Sequence, residues 1–392
     1  MTYRKLPAGV QDVLPNECRV LTDIKERLQR RFLSCGFRPV LSAALEYYDT
    51  YSEISNRIAQ ERMFKLTDTD GKLLVLRPDP TLAISRIAAT KLEDTQERLF
   101  YFADKWDMQN AGGIYNREIF QAGVECLGEE GAFSDAQAVA FAIECLKETG
   151  LTGFIVDIGH VGYFKGVLEG CGLSDEDAET VRRHINAKDV LNAERVLRRA
   201  GASEDTLNTL LALPSLFGGA EVLDRAEALT ENACARGAIA HLKEVYSLLV
   251  GMGYEDCVSF DLGTVKRLSY YSGMVFSGLV KELGAEVLGG GRYDNLADDF
   301  GKHIPAIGFA MGLKRILIAL ERQGNLPAFS RPDLAIVCEK GAEAEGYREY
   351  QRRLEEGKSV MLFAESGKEA VSRAKKKAEK VYLAGRKGLK EV

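Results

Sequence analysis

The stretch Val287-Leu-Gly-Gly-Gly-Arg-Tyr-Asp294 constrains the fold of this chain more than any other. An apolar run enters three consecutive glycines, and Arg-Tyr-Asp leaves them. Shortly after, Pro305-Ala-Ile-Gly-Phe-Ala-Met-Gly-Leu-Lys-Arg315 reads as a second apolar segment that turns helical and carries an arginine. Gly289, Gly290 and Gly291 have no Cβ, so the backbone there can pass close to a small ligand. By itself a glycine cluster reads more readily as a plain bulge.

The length of 392 residues suggests two or so domains with ample chain for a large core. The net charge is −6, and a nucleic-acid binder needs a basic face rather than a basic total. The clearest basic run, Arg373 with Lys375, Lys376 and Lys377, falls on a predicted helix and reads as a solvated face. Eight cysteines form no Cys-x-x-Cys pair, and most sit in apolar runs. They read as buried free thiols in a reducing cytoplasm, not as a disulfide framework or a zinc site. His160, His184, His241 and His303 are scattered, without metal-ligand spacing. No metal or cofactor is expected. The opening residues lack an apolar signal core, and no uninterrupted apolar stretch is long enough to cross a bilayer. The expected location is cytoplasmic, with no membrane partner.

Leu21, Ile24, Leu28 and Phe32 share one face of a helix predicted from Glu17 to Cys35, with Asn16 as cap and Gly36 as stop. Phe64 to Thr67 and Lys72 to Leu76 read as strands joined at Asp70-Gly71. Leu99 to Ala103 and Ile119 to Leu127 read as a second pair. Ser134 with Gln137 reads as a capping box for a helix to about Glu148. Phe154 to Ile158 is a short β-rich run. From Gly170 to about Gly251 the pattern is helical, with Val181, Ile185, Leu207, Leu210, Leu211, Leu242 and Val245 marking apolar faces. β patterning resumes at Val258 to Leu262 and Met274 to Val280, and a helix runs from about Ala310 to Gln323. Beyond the Gly324 to Pro332 linker, strand and helix alternate in a small α/β unit.

Five ordered segments together resemble the histidyl-tRNA synthetase core, a class II synthetase fold. They are Gly9-Val-Gln-Asp-Val-Leu-Pro15, Leu76-Arg-Pro-Asp-Pro-Thr81, Arg117-Glu-Ile-Phe-Gln121 with Gly123-Val-Glu125, Leu268-Ser-Tyr-Tyr271 with Val275-Phe276, and the pair of segments that opened this reading. The resemblance implies an α+β domain over residues 1–325, an antiparallel sheet flanked by helices, with a helical insertion at about 170–251. It implies a truncated anticodon-binding-like α/β domain over 326–392.

The resemblance also implies a histidine pocket. Asp79 and Thr81 hold the ammonium, and Gln121 bonds the ammonium or carboxylate. Glu125 accepts from an imidazole N–H. Tyr270 and Tyr271 wall the ring, and Lys266 or Arg117 neutralises the carboxylate. Each has a plainer reading: Asp79 and Thr81 as a helix cap, Glu125 as a strand-face charge, the tyrosines as packing, Arg117 as a surface ion-pair residue. Asp79 is also shorter than the family's glutamate, and Pro80 stiffens its segment.

The ATP half departs further. Counting back from Gln121, the second-motif arginine position holds Asp107, after Trp106, and Gln109-Asn110 replace a Glu-Arg pair. Positioned arginines stabilise the charge that gathers on the α-phosphate during activation. Like charges ~4 Å apart repel by roughly 4 kcal/mol at an effective dielectric of ~20. Lys266 stands where a second arginine is expected, although a one-residue shift puts Arg267 there, and Arg315 keeps the third-motif position. A synthetase-like chain with a retained histidine pocket and an altered ATP site resembles the family of ATP phosphoribosyltransferase regulatory subunits. That resemblance implies no catalytic residues of its own. It implies L-histidine as feedback effector in histidine biosynthesis, a dimer, and a hetero-octamer with a short-form catalytic subunit; tRNA is not an expected partner. The alternatives are a functional histidyl-tRNA synthetase or related adenylating enzyme, and a stand-alone histidine sensor.

Overall fold

A computed structural model of the chain describes residues 5–54, 57–108, 117–169, 171–265, 270–385 and 388–392. It divides into two compact units, Met1–Leu326 and Pro327–Val392. In the first, helix α1 (Pro15–Ser34) begins with Pro15 in its first turn, where a missing N–H costs nothing. The Glu17 carboxylate accepts from the Leu14 N–H at 3.2 Å. The helix buries Val20, Leu21, Ile24, Leu28 and Phe32. Phe32 lies within an aromatic cluster with Phe37, Phe100, Phe102 and Phe141.

Short strands β1 (Arg38–Pro39), β2 (Leu45–Tyr47), β3 (Lys65–Thr67) and β4 (Leu73–Leu76) precede helix α2 (Pro80–Lys91). Gly71 turns the β3–β4 hairpin with φ 83°. Long strands β5 (Glu97–Trp106) and β6 (Glu118–Leu127) pair antiparallel and lead into α3 (Gly131–Glu148). Strand β7 (Phe154–His160) and helix α4 (Val161–Leu168) lead into the insertion, which comprises α5 (Asp175–Asn186), α6 (Val190–Arg199), α7 (Glu204–Ala212), β8 (Phe217–Gly218), α8 (Glu221–Ala228) and α9 (Ala233–Gly251). The chain returns through β9 (Val258–Asp261), β10 (Met274–Val280), β11 (Ala285–Arg292), β12 (Ala306–Gly312) and α10 (Leu313–Gln323).

Nine strands form one sheet in the order β1-β5-β6-β12-β11-β10-β7-β9-β8. The six from β5 to β7 are antiparallel throughout, while β1–β5 and β7–β9 pair in parallel, so the sheet is mixed at its margins. The insertion is not wholly helical, because β8 joins the sheet edge. A separate three-stranded sheet has the order β2-β4-β3.

The second unit contains β13 (Leu334–Cys338), α11 (Glu343–Glu355), β14 (Val360–Phe363), α12 (Lys368–Lys377), β15 (Lys380–Gly385) and β16 (Gly388–Glu391), with strand order β14-β13-β15-β16. The strand β16 went unread in the sequence. The basic run of α12 is exposed, as a solvated face requires. Cys18 and Cys234 are exposed rather than buried, and every cysteine is a free thiol. Among the described residues, no cluster of metal-ligating side chains exists and no helix is long and apolar enough to cross a membrane.

Candidate functional site

The site begins with one carboxylate. Glu125 projects from β6 opposite Gly308 on β12, and a Cβ on that glycine would overlap the carboxylate. Only 1% of Glu125 is exposed. The Thr81 hydroxyl donates to its Oε1 at 2.7 Å and the Tyr293 hydroxyl to its Oε2. Burial pushes the Glu125 carboxyl up to about 8, with the two hydroxyls pulling the other way.

Around it lies a cavity of about 340 Å³. Asp79 stands at the head of α2, where its Oδ1 accepts from the N–H groups of Thr81 and Leu82 at 2.9 and 3.3 Å. Pro80 occupies the first turn, so the departure Asp-Pro makes a well-formed helix start. The Tyr270 hydroxyl donates to the same Oδ1 at 3.3 Å, and Lys105 Nζ lies 3.8 Å from Oδ2. The Tyr270 and Tyr271 rings pack with centroids 4.9 Å apart. Burial raises both phenols above their ordinary range and keeps them neutral donors.

The fold brings Asp79, Thr81, Gln121, Glu125, Tyr270 and Tyr271 together around this one cavity. Arg117 does not line it; its backbone pairs with Gly9 and Asp107, and its stem packs against Gly9. Lys266 lies outside the described residues, as do Arg267, Leu268, Ser269, Gln109 and Asn110. Of the glycine run, only Gly289 and Gly290 line the cavity. A Cβ at Gly290 would meet the Gly308 carbonyl, Phe276 and Phe309 at 2.6 Å, so sheet packing demands that glycine as strongly as any ligand does.

Sequence reasoning missed several lining residues, among them Arg57, Arg62, Tyr101, Lys105 and Tyr293. Tyr293 sat within the quoted Arg-Tyr-Asp, so the signal was present. Tyr101 crosses over Gly123, and its hydroxyl is buried close to Thr81 at the cavity. Asp107 requires a correction. It does not present a bare negative charge, because Arg62 donates from Nε to Oδ1 at 3.1 Å and from Nη2 to Oδ2. The roughly 4 kcal/mol repulsion argued for an isolated aspartate therefore does not apply to this pair.

A strap braces the tyrosines. The Ser272 N–H donates to the Arg292 carbonyl at 2.8 Å, and its hydroxyl donates to Asp294 Oδ2 at 2.8 Å. Arg292 in turn donates to fully buried Asp135, and His241 of α9 lies 2.8 Å from the same carboxylate.

The sheet order, the carboxylate-and-tyrosine cavity and a match to the histidyl-tRNA synthetase family model over residues 9–316 define the class: a chain built on the histidyl-tRNA synthetase core. A crystal structure from Bacillus halodurans C, titled an ATP phosphoribosyltransferase regulatory subunit/histidyl-tRNA synthetase, superposes with TM-score 0.85 at 28% identity, covering 97% of this chain and 98% of that one. The ATP phosphoribosyltransferase regulatory subunit of Acetivibrio thermocellus is 41% identical over 335 residues, 85% of this chain and 80% of the relative. That of Clostridium acetobutylicum is 34% identical over 364 residues, 91% and 89% of the two chains. This chain belongs to the ATP phosphoribosyltransferase regulatory subunit family.

Proposed function

We propose that the cavity binds free L-histidine and that its occupancy restrains a catalytic ATP phosphoribosyltransferase partner. The chain is a regulatory component of histidine biosynthesis and not the catalyst. The observation that carries the ligand is the buried Glu125 carboxyl, set among hydroxyls at the floor of a polar cavity. Burying a carboxyl costs free energy even when hydroxyls partly satisfy it, and perturbed groups of this kind cluster at functional sites. An imidazole N–H matches the Glu125 carboxylate, and the buried Tyr101 hydroxyl, which lines the same cavity, supplies a second contact. Asp79 and Gln121 stand for the ammonium, and Tyr270 and Tyr271 for the ring walls. Lys266 remains the proposed partner of the histidine carboxylate, with Lys105 now added; Arg117 drops out because it does not line the cavity. The assembly we propose is a dimer of this chain within a hetero-octamer containing a short catalytic subunit, in the cytoplasm.

Regulation of this kind is a coupling free energy between the histidine site and a distant active site. Calorimetry with histidine, beside inhibition curves for the complex, tests it. Glu125→Ala leaves an imidazole N–H unpaired, which costs ~1–3 kcal/mol, about tenfold or more in affinity. Inhibition then requires correspondingly more histidine. Wild type that binds no histidine, or a Glu125→Ala variant that shifts neither curve, defeats the assignment.

A further inference from the structure

Among the described residues four cations line the cavity, and each already has a partner. Arg57 grips Asp299 through Nε and Nη2, both at 2.9 Å. Arg62 grips Asp107. Lys105 lies 3.8 Å from the Asp79 carboxylate, and Arg315 donates to the Glu286 carbonyl at 2.8 Å. The Arg62–Asp107 pair differs from the rest in how firmly both ends are fixed. The Met108 N–H donates to the Arg62 carbonyl, and the Asp107 N–H to the Arg117 carbonyl, each at 3.0 Å. The backbone thus sets fork and carboxylate face to face. The Asp107 side chain is 8% exposed and that of Arg62 30%.

A guanidinium fork in a glycine-lined cavity is the group best suited to grip phosphate oxygens bidentately. Here that fork is spent on a carboxylate of the same chain. A polyphosphate that sought Arg62 must break both bonds to the buried Asp107 carboxylate, and separating such a pair is costly. A zwitterionic amino acid brings a single carboxylate, for which Lys266 and Lys105 are the proposed partners, so it can bind with the Arg62 fork still on Asp107. We propose that Asp107 makes this cavity selective for a free amino acid over a nucleoside polyphosphate by keeping the Arg62 fork occupied. The inference rests on the reading of the cavity as an amino-acid site, and it assigns Arg62 and Asp107 to ligand discrimination.

The test is calorimetric titration of the full-length chain with ATP, and separately with L-histidine, for wild type, Asp107→Asn and the double variant Arg62→Gln/Asp107→Asn. Wild type is expected to show no saturable ATP binding. Asp107→Asn keeps the size, removes the charge and is expected to bind ATP saturably, at least about tenfold more tightly than the weakest binding the wild-type titration would detect. The double variant is expected to lose that gain. The inference is overturned if wild type binds ATP saturably and histidine displaces it. It is equally overturned if folded Asp107→Asn gains nothing, or if the gain survives loss of Arg62. Should Asp107→Asn melt before it can be titrated, Asp107→Ser takes its place, and the wild-type titration still decides. Wild type that binds no histidine, while Asp107→Asn gains ATP through Arg62, would sink the amino-acid reading and leave this pair's role standing.

Discussion

Glu125 holds its proton far more tightly in the folded chain than an ordinary carboxyl, because burial raises it from 4.5 to about 8. The consequence for stability has a definite sign. Between those values the folded chain keeps a proton that the unfolded chain releases, so stability falls as pH rises. The contribution is fully present below the unfolded value and lost as pH climbs through about 8. Glu125→Gln removes the titrating group. Denaturant unfolding at pH about 5, 7 and 9 should therefore show the balance shifting toward the glutamine variant as pH rises. A difference that ignores pH would contradict the buried, protonated carboxyl. Histidine that donates an N–H to the carboxylate should also expel this proton at neutral pH, seen as a buffer-dependent binding enthalpy. Asp79, Thr81, Gln121 and Glu125 were legible because two short motifs carried them in register. Tyr101 and Arg62 were not, since nothing in a single chain tells which remote strand or turn will face the same cavity.

Among the elements, periodicity read well and capping did not. The buried face of α1 is the one that helical spacing picks out. Asn16 does not cap it, because the helix starts at Pro15 and Glu17 satisfies the Leu14 N–H instead. Ser134 and Gln137 failed as a capping box for a related reason. The helix α3 begins at Gly131, which frees Ser134 to accept from Arg292 at 2.6 Å and Gln137 to accept from Arg98 at 2.8 Å. Tertiary contacts had claimed the residues that local rules assign to helix ends. Asp135, one position on, shows how much rests on such contacts. It is fully buried and receives Arg292 from the end of β11 and His241 from α9. Arg292 also holds Asp294 at 3.1 Å, and Asp294 holds Ser272 next to the tyrosine walls. Asp135→Ala leaves a buried guanidinium without its carboxylate and should cost about 3–5 kcal/mol in unfolding free energy. It should also weaken histidine binding through the loosened strap. Asp135→Asn, which preserves shape and some hydrogen bonding, should lose less of both. An alanine variant with unchanged unfolding would show that the pair contributes nothing net.

For the whole molecule, the three-stranded sheet points to self-association. Its register pairs Leu45 with Leu76, Tyr47 with Leu74 and Leu66 with Leu74, so these five side chains share one face. The opposite face carries Glu46 and Val75, both buried against the rest of the unit. The usual half-buried strand turns polar residues outward. Here Leu45, Tyr47 and Leu66 are 48%, 51% and 42% exposed, and Leu41, just before β2, is 83% exposed. An apolar outward face of this kind marks an interaction surface. A second copy of the chain is the proposed occupant, because the resemblance implies a dimer and this is an exposed apolar face of the synthetase-like unit. A twofold dimer places the same patch against itself, so Leu45 and Leu66 act twice in each interface. Sedimentation at micromolar concentration should give a dimer or an assembly built from dimers. Leu45→Glu with Leu66→Glu should put four carboxylates into the contact and give monomers with a folded core. Because Glu46 on the buried face grips Arg86 of α2 at 3.0 Å, and α2 begins at the Asp79 cap, separation of the copies should reach the histidine site as weaker binding. Wild type that sediments as a monomer would remove this face from the assembly and leave its exposed leucines without a partner.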